Sequence, residues 1–554
     1  MPAKPPADHI EVEWQFAALD VRPVARWLES AAVPPGYTLA RGPRKELDDT
    51  YYDTPDWRVH RANFTARVRK SGEKLELTLK AMAAAEAAMR SRRELNEPLS
   101  TDQVADELSA PGAARAALRA ISGRRPLRAI FHLHTSRQIF GLADADGELG
   151  EVALDETAIT VGPDEPPARL VRVEVEVAAD AVKRARPFVD ALVAACSLSP
   201  AGPSKFESAL IATGQAVPPV TDLGPTTITP EMTAGEVAFA VMRKHFAVFL
   251  QNEPGTRLGE DIEALHDMRV ATRRLRAAMS AFRPFISPRL EATRLELGWV
   301  GTSLGEVRDL DVQIERMEEW RGTFDSAALD ELEALLDSRR VAARKRMLAA
   351  LDSRRYDLLV ERFSAILRRG PARTYAPGRV PILAVAPDLI ERRYRRLRKG
   401  GDGIRKDSAA AAYHALRIEG KKLRYALEFV GPIYGEQALA FARRVTALQD
   451  LLGLHQDADV AQDMLREMAG SAGRRLSPGT VLTMGMIAER YRSHAAELRQ
   501  GFPGVYRSLR GKEWDRLVRS MEKRRPPAAP PPRIQRRPSP TLPEAELRIA
   551  TDGQ

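Results

Sequence analysis

The sequence is poor in cysteine, in aromatic residues and in long apolar runs. Cys196 is the single cysteine among 554 residues. It permits no intrachain disulfide and no cysteine zinc cluster, which suits a reducing compartment. Aromatic residues make up 6% of the chain, few for a surface that stacks on bases. No uninterrupted apolar run is long enough to span a bilayer. The opening MPAKPPADH lacks the apolar core of a secretory signal. A soluble cytoplasmic protein with no membrane partner is therefore expected. Neither charge dominates: Lys+Arg number 85 against 75 Asp+Glu, a net charge of +10 with a pI near 9.6. That excess admits a polyanionic partner without naming one.

What is present falls into two unlike halves. From His9 to about Leu210 short alternating runs dominate: IEVEWQF, FTARVRK, KLELTLK, GEVALDE and RLVRVEVEV. Period-two alternation predicts antiparallel strands, interrupted by helices near residues 21–32, 102–122 and 181–195. A stretch rich in Pro, Thr and Gly follows (213–230) and reads as a linker. Residues 231–523 are rich in Ala, Leu, Arg and Glu with helical periodicity. The tail, 524–554, is rich in proline and expected to be disordered.

The helical half repeats itself. HDMRVATRRLRAAMSAF begins at His266 and HALRIEGKKLRYALEFV at His414, an offset of 414 − 266 = 148. The offset carries Arg269, Arg273, Arg274 and Arg276 onto Arg417, Lys421, Lys422 and Arg424. It also carries LGEVRDLDV (from Leu304) onto LGLHQDADV (from Leu452), so Asp309 matches Asp457 and Asp311 matches Asp459. Two bundles related by a pseudo-two-fold are expected, spanning about 231–378 and 379–523.

At about 100° per residue, His266, Arg269, Arg273 and Arg276 fall within roughly an 80° arc. Met268, Leu275, Met279 and Phe282 lie opposite. In the second copy His414, Arg417, Lys421 and Arg424 face away from Leu416, Leu423, Leu427 and Val430. A lone cationic stripe is usually a solvated face. Here the stripe occurs twice, each copy has a histidine at the same place, and no neutralising acid is expected at i+4 on the same helix. A row of phosphates would neutralise such stripes, and the pseudo-two-fold would join them into one basic groove. Further cations are Arg243, Lys244 and the run Arg392, Arg393, Arg395, Arg396 and Arg398. Asp309, Asp311, Asp457 and Asp459 are available to orient arginines or to hold the bundle. Nucleic acid is the competing polyanion, disfavoured by the sparse aromatics and the absence of a recognisable nucleic-acid motif.

In a strand, alternate residues share a face. Glu11 and Glu13 share one, as do Arg67 and Arg69, Glu76, Thr78 and Lys80, Glu151 and Asp155, and Arg172, Glu174 and Glu176. Each reads singly as the wet side of an amphipathic strand. If these faces line a closed barrel, the lumen holds carboxylates suited to Mg²⁺ or Mn²⁺ beside cations suited to phosphate oxygens.

With these residues the N-terminal half resembles a CYTH domain of the triphosphate tunnel metalloenzyme superfamily. The resemblance rests on IEVEWQF, TYYDTPD (from Thr50), ARVRK, LTLK, GEVALDE, RVEVEV and SKFE (from Ser204), over about residues 9–212. The helical half resembles a CHAD domain, through HDMRVATRRLRAA, LGEVRDLDV, HALRIEGKKLRYALEF and LQDLLGLHQDADV, over about 231–523. Together they imply an α+β chain: an antiparallel eight-stranded β-barrel, the triphosphate tunnel, then an all-α domain of two pseudo-symmetric bundles. The first resemblance implies metal binding by Glu11, Glu13, Asp155, Glu174 and Glu176. It implies triphosphate contacts from Arg67, Arg69, Lys80, Arg137 and Lys205. Gln15 stands where the family signature Glu-x-Glu-x-Lys has lysine, which leaves phosphohydrolase activity open. The second resemblance implies inorganic polyphosphate binding by His266, His414 and the cations beside them, and residence at polyphosphate granules. Three functions are thus weighed: a polyphosphate binder with a silent or weak tunnel, an active metal-dependent inorganic triphosphatase, and a nucleic-acid-associated scaffold. The first is expected. The sequence specifies neither oligomeric state nor chain-length preference.

Overall fold

The computed structural model describes residues 9–82, 89–101, 108, 110–162, 165–217, 222–324, 326–405, 407–472 and 476–527. Most of the Pro-rich tail and part of the linker fall outside the described residues, as does the first half of the helix expected over 102–122. The N-terminal half places β1 (His9–Ala17), α1 (Arg22–Leu28), β2 (Tyr37–Asp53), α2 (Arg58–Arg61), β3 (Phe64–Ser71), β4 (Lys74–Ala81) and β5 (Met89–Leu99). It continues with α3 (Ala113–Ser122), β6 (Arg128–Asp144), β7 (Gly147–Ile159), β8 (Ala168–Val177), α4 (Val182–Cys196), β9 (Ser199–Pro200) and α5 (Lys205–Ala212).

The strand order is β5-β4-β3-β2-β6-β7-β8-β1-β9, all antiparallel, and β1 pairs with β5 as well as with β8. The strands therefore wrap around a lumen, and their alternation runs inside-out. Trp14, Phe16, Val152, Leu154, Val173 and Val175 face outward and are buried under α1 and α4. Phe64, Ala66, Val68, Leu77 and Leu79 are buried under α3. The alternate, charged residues are left to the interior. At one end α5 brings Phe206 against Tyr51 and Phe131. A capping box between Ser204 and Glu207 starts that helix.

The helical half contains α6 (Ala234–Leu258), α7 (Ile262–Ala281), α8 (Leu290–Trp320), α9 (Ser326–Leu351) and α10 (Arg354–Arg369). The second bundle contains α11 (Ile382–Gly401), α12 (Ala410–Val430), α13 (Glu436–Ala472), α14 (Pro478–Arg507) and α15 (Lys512–Arg524). The repeat is carried into the backbone. Helix α11 starts 382 − 234 = 148 residues after α6, and α12 starts 410 − 262 = 148 after α7. Ala234 N–H donates to the Val380 carbonyl (2.8 Å), and Ile382 N–H donates to that of Met232 (2.9 Å). Donors and acceptors of these two bonds are each 148 apart, so they form a reciprocal pair about the pseudo-two-fold. The apolar backs read from the sequence are buried in one shared core, including Met268, Leu275, Phe282, Leu416, Leu423 and Val430. The linker is not a bare tether, because Leu223 also enters that core.

The two halves meet through α2 and α3 against α6. Glu253 sits at that joint, 4% exposed. It pairs with Arg58 of the sheet domain (3.3 Å) and with Arg257 (2.8 Å), and accepts from the Tyr356 hydroxyl (2.7 Å). Burial opposes ionisation of Glu253, but Arg58 and Arg257 outweigh it and hold the carboxyl below its usual range. Replacing Glu253 with Gln would leave two buried guanidiniums without their shared counter-charge. The expected loss of stability is about 3–5 kcal/mol, measurable by urea denaturation of the full chain. A loss under about 1 kcal/mol, the value of an exposed pair, would contradict this account of the joint.

Candidate functional site

Two charged regions stand out, one inside the sheet domain and one on the helical domain. The first is a cavity of about 380 Å³ lined by residues from the strands and from the start of α5. Strand register explains what faces it. Glu13 lies opposite Glu176, which lies opposite Glu151, so three carboxylates form a row across β1, β8 and β7. Gln15 lies opposite Glu174, and Arg137 opposite Asp155. The cations are already engaged. Arg137 grips Asp155 with two bonds of 2.7 and 2.6 Å and reaches Glu174 at 2.7 Å. Lys205 contacts Glu174 at 3.0 Å and also pairs with Asp155. Arg69 grips Asp49 with two bonds of 2.8 Å, and Lys80 lies 3.0 Å from Glu94 and 3.7 Å from Glu13. Arg67 lies 3.7 Å from Asp49 and 3.9 Å from Glu94, with its buried Nε lacking a hydrogen-bond partner.

Burial alone would raise the pKa of these carboxyls, but the cations win. Lys205 and Arg137 hold Glu174 well below the usual carboxylate range. Arg67 and Arg69 hold Asp49 near 2. The Gln15 amide donates to Glu174 at 3.3 Å, on a carboxylate that Arg137 and Lys205 already neutralise. Asp155 is fully buried with both oxygens committed to cations. The lumen is thus a nearly neutralised lattice, and an entering anion must exchange places with carboxylates.

The second region lacks that neutralisation. Helices α7 and α12 pack against each other and bring Arg269, Arg273, Arg417, Lys421 and Arg424 into one cluster. Lys421 carries the consequence. Burial, followed by Arg417, Arg273, Arg424 and Arg269, pushes its ammonium down to about 7. Burial and the neighbouring cations also lower Arg273. Some counter-charge exists. Asp309 accepts from Arg269 at 3.0 Å. Glu428 takes Arg274 at 3.3 Å and Arg424 at 3.4 Å, joining α7 to α12. Lys422 pairs with Glu419 at 2.5 Å. Arg273, Arg417 and Lys421 have no ion-pair or hydrogen-bond partner for their side chains among the described residues, and Arg273 Nε is buried without one.

Several expectations need adjustment. Acids do neutralise part of the stripe from its own helix: Glu428 lies at i+4 from Arg424, and Glu419 at i−3 from Lys422. Arg243 is not a groove cation. Its guanidinium donates to the Leu367 carbonyl (3.0 and 2.7 Å) and holds the end of α10. Arg395 and Arg398 pair with Glu391 and Asp402. Arg392 and Arg396 are exposed, while Arg393 is buried with its Nε unpartnered. His266 is half-buried. His414 is exposed, its Nδ1 bonded to Gln456. Asp311 engages Arg340, and Asp459 faces His455 at 3.4 Å. The Glu11 side chain lies outside the described residues. Sequence reasoning missed Lys45 and Glu94, which line the cavity, because β2 and β5 show no clean alternation. It also left Glu151 unassigned, although its spacing from Asp155 placed both on one face.

Comparison with known proteins gives the decisive match. A CYTH domain model matches residues 34–193, and a CHAD domain model matches residues 240–466. The chain carries a CYTH domain followed by a CHAD domain. Two uncharacterized proteins of Mycobacterium tuberculosis are each 25% identical over 533 residues, covering 91% of this chain and 97% of theirs. The CHAD domain from the plant Ricinus communis is 25% identical and covers 53% of this chain and 94% of that one, with a TM-score of 0.40. PptA from Streptomyces chartreusis is 21% identical over 50% of this chain and 99% of its own, also with a TM-score of 0.40. A putative adenylyl cyclase from Hippeastrum, described as having dominant triphosphatase activity, is 15% identical over 38% of this chain and 98% of its own, with a TM-score of 0.26.

CYTH domains are generally metal-dependent. Among the described residues of this one, no three His, Cys, Asp or Glu side chains are gathered as a ready metal site. Glu174 and Asp155, both expected as ligands, are occupied by Arg137 and Lys205. The row Glu13–Glu176–Glu151 offers the carboxylate oxygens that a hard divalent cation takes. The donor chemistry suits such a metal, while strand register aligns the three carboxylates without gathering them into a site.

The CHAD cluster gives a pH signature. Lys421 titrates near 7 in the folded chain and near 10.5 when unfolded. Below 7 it is charged in both states, and the fold bears the full cost of holding that charge. Between 7 and 10.5 the unfolded chain binds more protons, so stability rises with pH and the cost disappears. Lys421→Met should therefore raise the melting temperature at pH 6 and leave it nearly unchanged at pH 10.5. An equal change at both values would remove Lys421 from the cluster's electrostatics.

Proposed function

We propose that this chain binds inorganic polyphosphate along the basic groove of its CHAD domain, and that its CYTH tunnel takes a triphosphate end together with Mg²⁺ or Mn²⁺. The observation that carries the reading is the unpartnered trio Arg273, Arg417 and Lys421 at the meeting of the two homologous helices. A solvated face spreads its charges, whereas this one concentrates them where the ammonium itself is destabilised. A ligand with one negative charge on each repeating unit relieves this repulsion at several points at once. Cytoplasmic residence, and association with polyphosphate granules, follow from this reading. The paired acids and bases of the tunnel suit a compact phosphate ligand: Arg67, Arg69, Lys80, Arg137 and Lys205 would turn from their carboxylates to phosphate oxygens.

A second reading, a metal-dependent inorganic triphosphatase, is favoured by the row Glu13–Glu176–Glu151 beside Lys80. Those three carboxylates would hold the cation. When bound, Mg²⁺ or Mn²⁺ supplies Lewis acidity to the phosphoryl oxygens. Lys80 and Arg67 would orient the substrate. Robust phosphate release from triphosphate, abolished by Glu13→Ala, would establish this reading over a purely binding tunnel.

Changing Arg273, Arg417 and Lys421 together to Ala should weaken long-chain polyphosphate binding by roughly a thousandfold or more, at about 1.5–3 kcal/mol for each charged contact. Titration calorimetry on the full chain measures this, with circular dichroism confirming helicity. Unchanged affinity would return the cluster to a solvated face. Duplex DNA or RNA that displaced polyphosphate at equal phosphate concentration would replace polyphosphate with nucleic acid as the ligand. Binding should also take up a proton above pH 7, as Lys421 is recharged, so affinity should decline from pH 7 to pH 9.

A further inference from the structure

Lys421 differs from the other cations of the cluster in a chemical respect. A guanidinium stays protonated throughout the usual pH range, whereas an amine that has lost its proton is a nucleophile. The Lys421 side chain is half-buried and has no ion-pair partner among the described residues. Arg269 and Arg273 from α7, and Arg417 and Arg424 from its own helix, surround it with positive charge. The carboxylates around the cluster are turned to other cations: Asp309 to Arg269, Glu428 to Arg424, and Asp457 to Arg316 at 3.9 Å. Its neighbour Lys422 makes the contrast, since Glu419 holds it as an ion pair. An amine thus lies beside guanidiniums of the kind that hold phosphate groups.

We propose that Lys421 is a site of self-acylation by acyl phosphates, small metabolic phosphates whose anionic head the surrounding arginines capture and whose acyl carbon the amine then attacks. The new bond joins Lys421 Nζ to the acyl carbon. The bond from that carbon to the phosphate oxygen breaks, and the phosphate leaves with the electron pair. The proton lost from nitrogen ends on the departing phosphate, giving an amide and inorganic phosphate with no other reactant. The product has lost one cation and gained a neutral acyl group inside the cluster, so acylation would weaken the groove for any polyanion. The proposal rests on the cation cluster and not on polyphosphate being its ligand.

The depressed basicity of Lys421, pushed down to about 7 by burial and the neighbouring arginines, supports the step, because much more of its amine is free of its proton near neutral pH than in an ordinary lysine. An ordinary lysine has roughly a thousandth or less free at that pH.

The test incubates the full-length chain with acetyl phosphate at pH 7.5 and maps acetylation of each lysine by peptide mass spectrometry over time. Lys421 should be modified roughly tenfold or more faster than Lys422 and Lys399, with a rate that levels off above a midpoint near pH 7. Inorganic triphosphate should suppress acetylation at Lys421 and leave Lys399 unchanged. Arg273→Gln should slow it, by weakening phosphate capture and restoring basicity; Arg417→Gln is the second variant should the first fail to fold. Acetylation of Lys421 no faster than that of Lys422, or a Lys421 rate indifferent to triphosphate, would overturn the proposal. Selective acetylation without polyphosphate binding would sustain it while removing the polyphosphate reading, and the converse result would do the reverse.

Discussion

Repulsion among Arg269, Arg273, Arg417, Lys421 and Arg424 is the constraint around which the helical domain is arranged. Nothing about these side chains favours their meeting. They meet because Met268, Leu275, Leu416 and Leu423 occupy the opposite faces of the same two helices and are buried in one core. Apolar burial of that kind contributes about 1.5–3 kcal/mol for each large side chain, enough to hold an unfavourable electrostatic arrangement in place. Glu428 moderates it by bridging Arg274 and Arg424, and Gln449 fixes the backbone nearby by donating to the Arg417 carbonyl at 3.1 Å. Gly420 is what lets that amide approach: a Cβ there would stand 2.2 Å from Gln449 Nε2.

The sheet domain solves the opposite problem. Its interior also gathers charge, but every cation expected to bind phosphate has a carboxylate within reach. The lattice around Glu174, Arg137, Lys205 and Asp155 pairs its charges without a ligand, so an anion binding there would exchange partners. In the helical cluster a bound polyanion would instead fill vacant valence. The same class of ligand would therefore meet two different energetics within one chain. The buried Glu253, with Arg58 on one side and Arg257 on the other, fixes the two regions to each other.

Much of this was legible in the sequence, and the limits have physical causes. The offset of 148 was visible in two motifs and reappears in helix starts and in the reciprocal bonds at Ala234 and Ile382, because homologous segments keep both pattern and backbone. Strands with clean alternation (β1, β3, β4, β7 and β8) were readable. The long β2 and β6 were not, since part of each is exposed on both faces and carries no period; β5 was not, because its sequence MRSRRELNEPL shows no apolar alternation in its first half. Pairing was the hardest part to read. Periodicity places Asp155 on the lumen face but does not say that Arg137 and Lys205 occupy it. Similarly, Arg243 looks like any surface cation until α10 ends beside it.

The two halves of the cation cluster are homologous without being equivalent. Where the first copy has Arg273 and Arg274, the second has Lys421 and Lys422. Guanidiniums keep their charge across the physiological range, so the first half is electrostatically constant. The second half contains the amine that titrates near 7. A polymer of identical units has no intrinsic sense of direction, yet on this surface its two ends would lie on chemically different ground. A shift of one pH unit would change the charge where the two copies meet and leave the guanidiniums on either side constant.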